Sequence, residues 1–135
     1  MIELDNYLKD GAKSRADIGT LASRDERSVT IMLWNYHDDD LPAAAAEIEM
    51  TVAGLPSKRI MTQQYRVDGE HGNSYEAWKK MGSPQKPSEE QYAQLEQAGQ
   101  LDVVGSPEWR NPAEGRVPLK IRLPRQGVAL MKLVW

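Results

Sequence analysis

Two short segments of the chain, residues 47–53 and 117–123, alternate between apolar and polar side chains, and this pattern constrains the fold most. Alternation with a period of two puts every second side chain on one face of a β-strand. The apolar sets are Ile48, Met50 and Val52 in the first segment and Leu119, Ile121 and Leu123 in the second. Both segments are therefore predicted to be strands with one solvated face, as in an antiparallel sheet.

Three further segments also have the composition of strands. Residues 28–34 (SVTIMLW) carry apolar side chains on both alternating faces, which predicts a central strand covered on both sides. Residues 59–67 place Met61, Tyr65 and Val67 at positions of one parity, and residues 128–135 end the chain with a largely apolar run.

Short turns suggest how these strands pair. The Pro-Ser-Lys turn at 56–58 predicts that residues 47–53 and 59–67 form a hairpin, and the turn at 124–127 predicts a second, terminal hairpin. Residues 101–104 form a further short apolar stretch. The stretch after it, with Pro107, Trp109 and Pro112, is predicted to be a loop.

The sequence changes to helical periodicity between residues 73 and 99. Asn73 with Glu76 three positions later is an N-cap signature, and Ser88 with Gln91 is a capping box. Glycines follow each predicted helix. The apolar faces consist of Tyr75, Trp78 and Met81 in the first helix and Tyr92, Leu95 and Ala98 in the second. Two capped helices therefore interrupt a strand-rich chain.

Strands at both ends with a helical insertion favour a mainly β fold over βαβ repeats. We predict one antiparallel, immunoglobulin-like β-sandwich domain over residues 1–135, with a two-helix insertion at about 73–99. A chain of 135 residues is long enough to build one core without disulfides.

Composition excludes several classes of function. A net charge of −3 gives no general attraction to nucleic acid or to an anionic membrane surface, so neither is an expected partner. Cysteine is absent, which removes thiolate metal sites and cysteine nucleophiles but leaves the compartment undetermined. The first fifteen residues are charged throughout, unlike a signal peptide, and we expect a soluble chain.

The stretch WNYHDDD, residues 34–40, is the most polar cluster with metal-ligand chemistry. It lacks the DxDxDG spacing of a calcium loop, and His37 and His71, the two histidines of the chain, have no partner at helical spacing. We interpret the cluster as a strand end and an exposed connection, with no metal and no cofactor.

No arrangement of catalytic residues stands out either. The sequence has no GxSxG motif and no glycine-rich phosphate loop. Glycosidase chemistry needs two carboxyl groups in a cleft, one of them with a raised pKa. The candidates Glu47, Glu49, Glu70 and Glu76 lie at positions predicted to be solvated, so we assign no catalytic residue. Trp109 is the tryptophan predicted to be exposed. The alternative hypothesis is that a sugar binds by stacking on its ring.

Three long stretches of the chain resemble a known family. WNYHDDDLP, YRVDGEHGNSYEAWKKMGSPQKPSEEQYAQLEQAGQL and LPRQGVALMKLVW are similar, in order and spacing, to the C-terminal portion of family 39 glycoside hydrolases of the β-xylosidase type. With LDNYLKDGAKSRADIGTLASRDERSVTIMLW at the front, the resemblance covers nearly the whole chain. It implies the β-sandwich that follows a catalytic (β/α)8 barrel in such enzymes, acting in xylan degradation.

The resemblance also implies that the acid/base and nucleophile glutamates belong to the barrel. The chain is then expected to be a non-catalytic accessory domain, from a separately expressed part or a truncated gene, whose partner is that barrel. We expect the isolated domain to self-associate through the surface that a barrel would cover. The alternative is a free-standing carbohydrate-binding or protein-interaction module.

The helical insertion is the candidate contact with the barrel. A sandwich does not need two capped helices to close its core, so residues 68–99 are expected to pack near the active-site entrance. The candidate docking or entrance residues are Tyr65, Asp68, His71, Asn73, Tyr75 and Trp78. The alternative is that the helices cap one open end of the sandwich.

Overall fold

A computed structural model describes residues 17–38, 41–56 and 58–135, and within these ranges the chain forms nine elements. In chain order they are the strands β1 (Asp17–Arg24), β2 (Ser28–Tyr36), β3 (Ala46–Val52) and β4 (Ile60–Val67), the helices α1 (Ser74–Lys80) and α2 (Glu89–Ala98), and the strands β5 (Asp102–Arg110), β6 (Val117–Leu123) and β7 (Gly127–Val134). The N-terminal stretch compared above with signal peptides lies outside the described residues. No helix in the described ranges combines the length and apolar character that crossing a membrane requires.

The strands form two antiparallel sheets. The larger sheet has the order β1-β2-β7-β4-β5, and the smaller sheet pairs β3 with β6. This architecture confirms the predicted mainly β sandwich with two inserted helices.

The core lies between the two sheets and is formed by the alternate residues that each strand turns inward. Leu33, Ile60, Leu123 and Leu133 are almost completely buried, and each such side chain contributes about 1.5–3 kcal/mol through removal from water. The complete buried apolar cluster consists of Val29, Ile31, Leu33, Val52, Leu55, Ile60, Val117, Leu119, Ile121, Leu123, Ala129, Met131 and Leu133. The inward residues predicted for the segments at 47–53 and 117–123 are confirmed.

The two predicted hairpins are wrong. β3 pairs with β6 and not with β4, while β7 lies between β2 and β4 and does not pair with β6. Each turn carries the chain from one sheet to the other. Buried Leu55 donates its N–H to the carbonyl of Gly115 at 3.0 Å, which directs the chain away from β3 before β4 begins. Ser57, in the predicted 56–58 turn, lies outside the described residues.

The turn at 124–127 is real, but it joins the sheets. Gly127 donates its N–H to the carbonyl of Pro124 at 3.0 Å, which closes a β-turn. Two contacts of Asn35 fix the direction of the turn. The Asn35 side-chain amide N–H donates to the carbonyl of Leu123 at 3.0 Å, and the Asn35 main-chain carbonyl accepts from the Gln126 N–H at 2.8 Å. Asn35 of β2 therefore bonds the residue before the turn, Leu123, and a residue within it, Gln126.

The loop predicted around Trp109 is also wrong, because β5 continues through it to Arg110. β5 is an edge strand, where proline is tolerated, and Pro107 lies in the unpaired stretch of its ladder with β4. The register shifts between Thr62 and Gln64, and the extra residues of β5 there include Gly105 with φ of 72°. Because this bulge interrupts the alternation of apolar and polar residues, the sequence pattern did not predict β5.

Among the described residues, other side chains cover only the inner face of β2. Its outward residue Met32 is 37% exposed, so the prediction of a strand buried on both faces is wrong for this part of the chain. In β4 the core residues are Ile60 and Thr62, whereas Met61, Tyr65 and Val67 lie on the opposite side. The larger sheet thus has an outer face rich in apolar residues.

Candidate functional site

The connection from β4 to the helices is organised by the side chain of Asp68, which is only 5% exposed. Asp68 Oδ1 accepts the N–H groups of Glu70 at 2.8 Å and His71 at 2.9 Å, and it lies 2.9 Å from His71 Nδ1. The turn closes with the Asp68 N–H donating to the carbonyl of His71 at 2.9 Å. These contacts orient the imidazole through one ring nitrogen.

The surroundings of Asp68 favour its charged form. Burial by itself raises the pKa of the Asp68 carboxyl, but the hydrogen bonds from Glu70 and His71 outweigh burial and hold the pKa below its ordinary value. The Nε atom of Arg66 lies 3.8 Å from Asp68 Oδ2 and adds a positive charge on the other side. The carboxylate is therefore an ionised structural anchor and not a proton donor.

Three further contacts fix the start of the helices. The Asn73 side chain donates to the carbonyl of Asp68 at 2.9 Å and accepts the N–H of Glu76 at 3.1 Å, which confirms it as the N-cap. The Gly72 N–H donates to Asp102 Oδ2 at 2.8 Å, and this bond joins the chain segment that enters the helices to the segment that leaves them. We call Asp68, His71, Gly72, Asn73 and Asp102 the neck.

Gly72 is required in the neck by its conformation and its neighbours. Its φ is 58°, and a Cβ built there would lie 3.0 Å from the carbonyl oxygen of Gln100 and 3.2 Å from that of Arg66. Arg66, Gly72 and Asp102 were missed as site residues by the sequence analysis. Gly72 had a visible signal, a glycine directly before an N-cap, whereas the contact with Asp102 spans 30 positions.

The helical arm, residues 73–99, projects from this neck without entering the core. Neither helix contains a buried residue, and Tyr75 is 61% exposed. The rings of Tyr75 and Trp78 stack with centroids 5.7 Å apart, and the Trp78 indole N–H donates to the carbonyl of Pro84 at 3.0 Å. The predicted capping box of Ser88 and Gln91 is present in both of its hydrogen bonds.

A polar groove of about 640 Å³ lies beside the neck. Three arginines, Arg66, Arg122 and Arg125, line it together with Asp68 and His71. Guanidinium, imidazole and carboxylate groups in one open groove suit a ligand that is rich in hydroxyl groups.

The other predicted site residues are distributed away from the neck. Tyr65 lies on the outer face of the larger sheet, opposite Leu130 and Val103, and so is not brought together with Asp68 and His71. Trp109 lies on edge strand β5, 56% exposed, with the Arg59 guanidinium 4.9 Å from its ring centroid.

The stretch around His37 is the end of β2 and the connection after it, as the sequence indicates. Asp39 and Asp40 lie outside the described residues. Within the described ranges, no three His, Asp or Glu side chains lie close enough to hold a metal ion.

Three of the four carboxylates considered for catalysis are paired with cations at the surface. Glu47 lies 3.4 Å from Arg122, Glu49 lies 2.6 Å from Lys120, and Glu76 lies 2.6 Å from Lys79. Glu70 is exposed. Among the described residues these four glutamates form no facing pair in a cleft, which is the arrangement that glycosidase chemistry needs.

Comparison with known proteins decides the family. The sequence profile of the family described as Glycosyl hydrolases family 39 matches residues 4–116. The chain belongs to this family. A β-xylosidase of Geobacillus stearothermophilus is 26% identical over 128 residues, which is 95% of this chain and 25% of that enzyme.

Solved structures of family 39 enzymes have the same fold. The GH39 enzyme from Xanthomonas axonopodis pv. citri matches with a TM-score of 0.75 and 20% identity, over 95% of this chain and 28% of that one. A monomeric β-xylosidase from Caulobacter crescentus CB15 matches with a TM-score of 0.68 and 20% identity, over 85% and 26%. The chain therefore spans about a quarter of the length of these family 39 relatives.

Proposed function

We propose that this chain is a non-catalytic accessory domain of a β-xylosidase-type family 39 glycosidase, which braces the catalytic barrel and extends its helical arm to the active-site entrance. The observation that carries the proposal is the arm itself. Two capped helices leave the sandwich through an ordered neck, yet contribute no buried residue and no member of the core cluster.

Isolated helices of 7 and 10 residues are marginal in water, and most helical stability in proteins comes from packing an apolar face. The core omits the arm, so the alternative that the helices cap an open end of this sandwich has little support. A second body that covers the exposed ring of Tyr75 accounts better for the ordered caps and neck.

The arm also offers groups that suit a sugar substrate near the entrance. The Tyr75 ring stacks on Trp78 and has Lys79 Nζ at 4.8 Å from its centroid, yet it remains exposed. The Asp68 anchor leaves the Nε2 atom of His71 for a contact outside the neck. Ring faces stack on pyranoses, and imidazole nitrogens exchange hydrogen bonds with hydroxyl groups. Xylo-oligosaccharides bound in the barrel are the substrates that we assign to this entrance.

The test combines this chain with the separately produced catalytic part of the Geobacillus β-xylosidase. In one variant, residues 74–98 are replaced by a short Gly-Ser linker, which is feasible because Gly99 lies beside Ser74. We expect no turnover of a chromogenic xyloside by the chain alone. We also expect the complete chain, but not the armless variant, to change KM for xylo-oligosaccharides.

The control is Lys120→Ala, an exposed change on the smaller sheet. Turnover by the isolated chain would overturn the non-catalytic assignment. Identical kinetics and identical melting of the catalytic part with either form of the chain would end the docking proposal.

The runner-up is a free-standing carbohydrate-binding module, and exposed Trp109 is the residue that favours it. Arg59 covers one face of that ring, so a single face remains for a sugar. Calorimetric titration of the chain with xylose and xylo-oligosaccharides separates the two functions. A heat of binding that disappears in Trp109→Ala would favour the module, whereas the accessory function predicts no heat.

A further inference from the structure

A continuous apolar row crosses the entire outer face of the larger sheet. Residues paired across adjacent antiparallel strands project from the same side of a sheet. The pairs Leu21–Met32, Met32–Leu130, Leu130–Tyr65 and Tyr65–Val103 therefore form one line over all five strands. The ends of this row are open to solvent, with Leu21 63% and Val103 53% exposed.

A second row lies next to the first and contains Gly19, Trp34, Val128 and Val67. The Trp34 indole lies directly over Gly19, because a Cβ built on Gly19 would lie 2.3 Å from Trp34 Cζ2. The Nε1, Cε2 and Cζ2 atoms of the indole therefore occupy the space above Gly19. An apolar groove of about 580 Å³ runs along Met32, Trp34 and Val128.

The outer face of the smaller sheet has the opposite character. Glu47 with Arg122 and Glu49 with Lys120 form cross-strand ion pairs there, as expected for a surface in water. Along the strands of the larger sheet, the outward positions described carry two charges, Asp17 and Lys132. The outer face of the smaller sheet is therefore typical of a surface in water, whereas the outer face of the larger sheet is suited to contact with a partner.

Most of the exposed apolar side chains among the described residues belong to this one face. Of the ten large hydrophobic residues that are exposed, six lie on it: Leu21, Met32, Tyr36, Val67, Val103 and Trp109. Monomeric proteins rarely expose an apolar surface that is continuous over a whole sheet, and such patches mark interaction sites. Depletion of charge is typical of the core of a permanent interface.

Two observations indicate what covers the face. The relatives are about four times as long as the part matched here, so three quarters of each family enzyme lies outside this domain. The neck that carries the helical arm begins at Asp68, directly after Val67, and ends at Asp102, directly before Val103, and both valines lie on the face. One body can therefore cover the face and the arm together, which a symmetric contact between two copies does not explain.

We infer that this outer face is the surface on which the catalytic part of a family 39 glycosidase packs, with the Leu21–Val103 row at its centre. The inference rests on the proposed accessory function and adds the surface that performs it. The helical arm then reaches beyond the edge of this interface and is not the main source of affinity.

The test measures binding of this chain to the catalytic part of the Geobacillus β-xylosidase by calorimetry and sedimentation. The double variant Leu21→Lys with Val103→Lys changes two exposed positions on edge strands, so the sandwich should remain folded. The control Thr51→Lys with Ala53→Lys adds the same two charges at exposed positions of the smaller sheet side. Circular dichroism and melting establish that both variants are folded.

We expect the face variant to weaken the Kd by about tenfold or more, because two lysine charges would then have to be buried against an apolar interface, while the control binds like the original chain. Equal binding by both variants would overturn the inference and leave the accessory function standing. No complex with the original chain would overturn both. A homodimer that the face variant abolishes, without binding to the catalytic part, would assign the face to a second copy and also overturn the inference.

Discussion

Trp34 and Gly19 face each other across the β1–β2 ladder with no room for a side chain at position 19. The nearest indole atom, Cζ2, would lie 2.3 Å from a Cβ on Gly19, well inside van der Waals contact. Glycine usually weakens a strand, so its presence here has a packing reason. The pair sets the position of one of the tryptophan rings on the outer face.

Gly19→Ala is expected to displace the Trp34 indole from the sheet. Overpacking of this kind costs about 1–3 kcal/mol, partly offset by about 0.5–1 kcal/mol from the loss of a strand glycine. Urea unfolding measures the change, and a red shift of tryptophan emission reports the displaced ring. The penalty should disappear in a Trp34→Leu background, and Gly69→Ala, where no atom lies within 4 Å, is the control.

Removal of the helix caps should destabilise the arm and leave the sandwich intact. Ser88→Ala and Asn73→Ala each remove an N-cap worth about 1 kcal/mol. Neither helix buries a residue, so the loss should appear as faster amide exchange within the arm at an unchanged melting temperature. Asn73→Ala should have the larger effect, because Asn73 also bonds Asp68.

The exposed change Gln94→Ala, in the middle of α2, is the control for these caps. A fall in the melting temperature of the whole domain on Ser88→Ala would contradict an arm that is independent of the core.

Asp68 should make stability depend on pH in the acid range. Its pKa is lowered in the folded state, so the unfolded state binds more protons between the two pKa values and stability rises with pH there. The contribution is complete above the ordinary aspartate pKa of about 3.9 and is lost as pH falls through the lower folded pKa.

Asp68→Asn tests this by urea unfolding between about pH 2 and 7. The variant should be less stable by about 1–3 kcal/mol at neutral pH, because a buried acceptor loses its charge-assisted hydrogen bonds. The difference from the original chain should shrink in acid. Glu70→Gln removes an exposed charge from the same turn, and an equal acid dependence in both variants would contradict the role of Asp68.

The sequence was sufficient for individual elements and insufficient for their pairing. Alternation identified β3 and β6 because each strand has one buried and one solvent-exposed face. The capping residues identified α1 and α2 because capping signals are local in sequence. Alternation does not identify the neighbour of a strand, so short turns were wrongly interpreted as hairpins. β1 was not predicted at all, since its residues are mostly exposed.

In the candidate site, too, local sequence patterns revealed some residues and missed those that are joined by long-range contacts. Asp68, His71 and Asn73 lie within six residues of one another, and hydrogen bonds join them in the structure. Asp102 joins them through a contact that no local pattern encodes. The apolar outer face was partly visible in Met61, Tyr65 and Val67, whose shared parity is real, but their exposure depends on which strands lie beside them.

Asn35 is expected to be the polar residue that matters most for the sandwich as a whole. It is 1% exposed, and its amide group provides a hydrogen bond from the larger sheet to the carbonyl of Leu123, at the end of β6. Asn35→Leu keeps the number of side-chain heavy atoms, although the methyl groups are larger than the amide, and it leaves that carbonyl without its donor, which costs about 1–3 kcal/mol. The crossover at 124–127 should then exchange its amides faster as well. Urea unfolding and amide exchange measure both effects, with exposed Asn111→Leu as the control. An Asn35→Leu variant as stable as the original chain would mean that this inter-sheet hydrogen bond contributes nothing to joining the sheets.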